Sequence, residues 1–165
     1  MTASDLFKEI SPALAQRIID EVQAGDKDLY RVAVAAAAQA RKVRPIFLER
    51  QPRTERHRFV AVALARADMG MVAGNVLSGW LVKCQSALLA DFLDALQIKH
   101  DKGVVEGLPD QVSDEALRAA VEKLLAKHPP EIVGLYLRAF YAMNAANWPN
   151  LKKLLDEDVR LMLGV

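Results

Sequence analysis

One cysteine, few aromatics and almost no strand-like alternation narrow this chain before any motif is sought. Cys84 has no second thiol to pair with, so no intramolecular disulfide holds the fold. The opening Met1-Thr2-Ala3-Ser4-Asp5 leads straight into an amphipathic pattern rather than a secretory or transit segment, and a cytoplasmic protein is expected. The longest apolar run, residues 69–82, is interrupted by Asn75 and Ser78. It falls short of the ~20 residues a membrane span needs, and no membrane partner is expected. No segment alternates with period two between turn residues, and Val104-Val105 is the one strand-like fragment.

Catalytic motifs are missing as well. There is no Gly-rich phosphate loop, no Gly-x-Ser-x-Gly elbow and no His-Glu-x-x-His. No catalytic residue and no cofactor is therefore assigned. His57, His100 and His128 lie too far apart to form a local ligand set, and no metal is expected. Cys84 falls on an apolar helical stripe, which suits a small core thiol better than a nucleophile.

What is present is helix. Ala occurs 26 times while aromatics make up 6%, and Ala favours helix because it loses no side-chain entropy there. With 165 residues, 52% of them hydrophobic and 26% charged, a single domain spanning 1–165 is expected. The fold class is all-α, a compact bundle of roughly seven to nine helices. A helical-repeat arrangement ranks lower, since no fixed period recurs.

Ser11-Pro12 starts a helix that Gly25 ends. Asp28 is the expected cap of the next, whose four alanines at 35–38 leave almost no polar face and make it central. Thr54 is the expected cap of a second central helix through Phe59, Val60, Val62 and Leu64. Leu77, Leu81, Cys84, Leu88, Phe92 and Leu96 form one long helical stripe. Ser113 starts a later helix, broken at His128-Pro129-Pro130. Trp80 and Trp148 are expected in the core.

The strongest local signal is charge. Residues 41–58 carry seven Arg/Lys (Arg41, Lys42, Arg44, Arg50, Arg53, Arg56, Arg58) against Glu49 and Glu55, a net of +5 in a chain whose total is +1. Arg41, Lys42 and Arg44 end a helix and complement its negative pole. Arg53, Arg56, His57 and Arg58 instead crowd a helix start, facing the positive pole, and so form a candidate anion-binding site. The anion expected first is a carboxylate of this chain or of a second subunit, drawn from Asp26 and Asp28, Asp110 and Asp114, or the acids at 156–158. Nucleic acid ranks second, because the near-neutral total lacks the usual basic excess. A small anionic ligand ranks third.

A second candidate is the irregular loop 99–112, longer than the usual connection. His100, Asp101 and Glu106 could there form a polar site for acid–base chemistry or a small ligand. A plain surface crossover pinned by Val104, Val105 and Leu108 is the favoured alternative. The function expected first is a non-enzymatic helical protein that binds a protein partner or itself. Second comes a nucleic-acid or phosphate binder using residues 41–58, and third a small-ligand protein or enzyme built on the loop.

Overall fold

Caps and prolines set most of the helix boundaries in the computed structural model, which describes residues 1–143 and 146–165. Among these residues there are ten α-helices, two short 3-10 turns and no strand. The chain divides into two compact units, Met1–Cys84 and Gln85–Val165.

In the first unit, α1 (Ala3–Glu9) opens with a capping box between Thr2 and Asp5. Helix α2 (Pro12–Gly25) is capped by Ser11 and carries Pro at its first position. Helix α3 (Lys27–Ala40) is capped by Asp26 rather than Asp28: the Asp26 carboxylate accepts the Leu29 N–H. Helix α4 (Pro45–Glu49), α5 (Arg53–Leu64), a 3-10 turn (Ala67–Met69) and α6 (Gly70–Cys84) complete the unit. Helix α2 packs against α3, α5 and α6, with α1 against α5 and α6. Leu6, Ile18, Ile19, Val60, Leu64, Val76, Leu77 and Trp80 form its dry interior.

The second unit holds α7 (Ser86–Ala95), α8 (Asp114–Lys127), α9 (Pro130–Met143), α10 (Pro149–Glu157) and a final 3-10 turn (Val159–Leu161). Helix α7 packs on α8, and α9 receives α8, α10 and the final turn. Phe92, Tyr136, Phe140 and Trp148 meet at tilted or edge-on ring contacts of 5.3–6.0 Å.

The helix count exceeds the expected range for two local reasons. Pro45 starts a one-turn helix within the basic segment, at the short apolar stretch Ile46-Phe47-Leu48, where no helix was expected. The stripe from Leu77 to Leu96 keeps its spacing across a break at Gln85, so two helices share it. Two further expectations are corrected. Helices α3 and α5 are not buried all round: Val32 and Val62 are each 54% exposed, because alanine-rich stripes bury a narrow face. Thr54 lies inside α5, whose cap is Pro52.

Helix α3 ends in a Schellman turn. Lys42 N–H donates to the Gln39 carbonyl and Val43 N–H to the Ala38 carbonyl. Lys42 takes the left-handed conformation, φ 55°, usually left to glycine. This reversal leads into α4, which packs on α3 through a buried Leu48 and leaves Ile46 and Phe47 exposed in a stretch that also carries the exposed Arg41, Lys42, Arg44 and Arg50.

Candidate functional site

The basic segment divides in the folded chain into the two groups that its sequence suggests, but the group with partners is the second. Its second half is largely satisfied from within. His57 is fully buried on α5, its Nδ1 2.5 Å from Asp20 Oδ1 and its Nε2 3.0 Å from the Tyr30 hydroxyl. A neutral ring fits both contacts: Nδ1–H donates to the carboxylate, and Nε2 accepts from the tyrosine. The three residues tie α2, α3 and α5 together. Asp20 also accepts from the Gln16 amide at 3.1 Å and has Arg53 at 3.5 Å.

Arg56 donates to the Glu49 carbonyl at the C-terminal end of α4, where a cation meets the negative helix pole. Arg58 pairs with Glu55 at 3.5 Å in an exposed i,i+3 contact, worth little in water. Asp20, which sequence reasoning had not put forward, is thus the carboxylate that Arg53 and His57 share. It sits on the polar flank of α2, 37 positions from His57, and no spacing rule links the two.

Titration of this network follows from burial. Burial pushes His57 below its ordinary value of 6.5, with Arg53 and Arg56 adding to the effect and Asp20 opposing it. Burial acts against the ionised form of Asp20, but the bonds from His57 and Gln16 outweigh it and hold that carboxyl below 3.8. A group held low in the folded state binds fewer protons there than in the unfolded chain. Its stabilisation is complete above the unfolded value and is lost as the pH falls through the folded one. The thermal midpoint should therefore decline in acid in two stages, the first beginning near 6.5 from His57. The second begins below 3.8, where Asp20 is joined by the similarly lowered Asp91 and Asp158. A His57→Gln chain should lack the first stage. A midpoint unchanged between about pH 7 and 5 in the native chain would contradict this assignment.

The first half of the segment is the open one. Arg41 lies over the Phe59 ring, 4.4 Å from its centroid. Arg41, Lys42, Arg44 and Arg50 have no carboxylate partner among the described residues. Between them, on α4, Ile46 and Phe47 are 54% and 53% exposed. A helix end accounts for where these cations begin, but not for two large apolar side chains set among them.

The loop 99–112 is irregular as expected, with one isolated bridge between Asp101 and Val104. Val104 is exposed; Val105 and Leu108 are half-buried. His100 Nε2 lies 2.7 Å from the Asp94 carboxylate, and its Nδ1 accepts the Gly103 N–H. It thereby fastens the loop to the end of α7. Asp101 and Glu106 point to solvent. A hollow of about 430 Å³ at the loop's far end is lined by Asp110, Gln111, Val112 and Trp148, among others, and by none of His100, Asp101 and Glu106. Trp148 is buried and donates its indole N–H to the Pro109 carbonyl, which makes it an anchor for the loop.

Each histidine thus bonds to a different aspartate, His128 to Asp91 at 2.8 Å. Among the described residues no group of three or more His, Cys, Asp or Glu could hold a metal ion. Cys84 is half-buried against Gly25, and burial raises its thiol pKa. Among the described residues no single helix is long and apolar enough to cross a membrane. No family model, no curated protein and no solved structure matches this chain.

Proposed function

We propose that this chain is a non-enzymatic helical interaction protein, and that its docking surface is the corner formed by the end of α3 and by α4. The observation that carries this is the juxtaposition of Ile46 and Phe47, both more than half exposed, with four cations that lack a carboxylate partner among the described residues. Aromatic and arginine side chains supply much of the energy of protein interfaces, and unpaired cations around an apolar centre select an acidic counterpart.

The occupant we favour is a second copy of this chain. Residues 1–84 carry thirteen Lys/Arg against nine Asp/Glu, a net of +4, and residues 85–165 carry nine against twelve, a net of −3. A basic corner on one copy and an acidic half on another make a heterologous contact. The lone Cys84 suits a reducing compartment, and we place the protein in the cytoplasm.

Sedimentation velocity over a concentration series tests the proposal. Association should be visible at low salt and weaken as salt rises. Phe47→Asp and the pair Arg44→Glu/Arg50→Glu should each weaken it about ten-fold or more. All three positions are exposed, so the fold should persist. A chain that stays monomeric throughout, or associates equally well with both changes, would sink the idea. Salt-steep binding of a single-stranded oligonucleotide that Arg44→Glu/Arg50→Glu abolishes would assign the corner to nucleic acid instead.

A further inference from the structure

A second surface feature of the first unit has a different chemistry. Helices α1, α2 and α5 enclose a groove of about 520 Å³, within the range of small-molecule sites. Pro12, Ala13 and Val62 are its exposed apolar lining residues, while Phe7 and Ile10 also line it but are more than nine-tenths buried. It stays open because Ala13, Ala61 and Ala65, which also line it, are too small to fill it. Its charged lining residues are Lys8 and Arg58, and no carboxylate lines it.

Both cations are available. Lys8 pairs with Asp5 at 3.2 Å and Arg58 with Glu55 at 3.5 Å, each with more than half of the cationic side chain exposed. Such pairs contribute little and exchange readily with other anions. Gln16 and Thr54 add hydrogen-bonding groups to the lining. A ligand matching this lining has an apolar tail and one negative head.

We infer that the groove between α1, α2 and α5 binds a long-chain carboxylate, its alkyl chain along Pro12, Ala13 and Val62 and its head between Lys8 and Arg58. Burial of the tail supplies the affinity. The two cations decide the sign of the head, through charge-assisted hydrogen bonds from an ammonium and a guanidinium.

The probe is dodecanoate below its micellar concentration, titrated calorimetrically into the full chain. Dodecyltrimethylammonium and dodecanol serve as head-group controls. Dodecanoate should bind saturably at one per chain, and the cationic amphiphile about ten-fold more weakly or not at all. Lys8→Ala/Arg58→Ala should weaken dodecanoate about ten-fold or more and leave dodecanol unchanged. Val62→Asp, a change at an exposed position, should weaken all three probes that enter the groove and dodecanoate most. Circular dichroism confirms that each variant is folded. The inference fails if dodecanoate does not saturate at one per chain, if the cationic amphiphile binds as tightly, or if either variant binds dodecanoate as the native chain does.

Discussion

Replacing His57 by Ala should destabilise the protein by about 3–4 kcal/mol, a loss measurable by denaturant unfolding. Two effects add. The imidazole is fully buried, so its removal leaves a cavity that the surrounding helices refill only in part. The Tyr30 hydroxyl also loses its acceptor, and its half-buried O–H is then left undonated, with the Arg56 contact alone remaining. Asp20 suffers less, because its side chain is 35% exposed and water can replace the imidazole N–H. His57→Phe restores most of the volume without the polar atoms, so it should recover part of the loss and separate the two effects. Tyr30→Phe alone should cost about 1–3 kcal/mol, since it leaves the buried His57 Nε2 without a donor. In the double variant the Tyr30 change should cost almost nothing further, as expected for residues in one network. A His57→Ala chain within about 1 kcal/mol of the native one would show that the network only decorates the fold.

Gly134→Ala should be nearly as damaging, at about 2–4 kcal/mol, although it adds a single methyl to a helix and improves local helix propensity. Gly134 lies in α9 where the final turn crosses it. A Cβ there would overlap the Leu161 carbonyl oxygen and crowd its carbonyl carbon. The obstacle is backbone, so no rotamer change relieves it. Leu161 cannot retreat easily: its side chain is fully buried, and the neighbouring Arg160 is held by Asp158 and Glu122 at 2.6–3.1 Å. Gly107→Ala is the control, because nothing lies within 4 Å of that position, and it should be near neutral. Equal effects of the two substitutions on the unfolding midpoint would argue against the close crossing.

Much of the fold was legible because local rules determine it. Ser11, Pro12, Gly25, Ser113 and Pro130 mark helix ends through capping and proline geometry, which depend on neighbours in sequence. Where two candidates stood close together the choice fell elsewhere: Asp26 caps α3 while Asp28 pairs weakly with Arg31, and Pro52 displaces Thr54. The split at Gln85 was invisible because the apolar spacing runs straight through it.

The candidate site was legible only as a charge excess. Which cations are neutralised depends largely on tertiary neighbours: beside the local Glu55 for Arg58, the partners proved to be Asp20 and a main-chain carbonyl, the last of which no pattern of charged residues reveals. The first half stands out because Ile46 and Phe47, on the short helix after the Schellman turn at Lys42, are exposed between its flanking Arg44 and Arg50. By local rules alone Arg41, Lys42 and Arg44 are accounted for as a helix end, and Arg50 is left unassigned.

Because each compact unit is one unbroken stretch of chain, the order of synthesis acquires a meaning. When Cys84 leaves the ribosome, the first unit already has the groups its polar network uses: Asp20 for His57, Glu21 for Trp80, Asp26 for Lys83. Translation at about 5–20 residues per second then leaves an interval on the order of several seconds before the rest is made. During that interval the nascent polypeptide displays its basic corner without the acidic half of its own sequence.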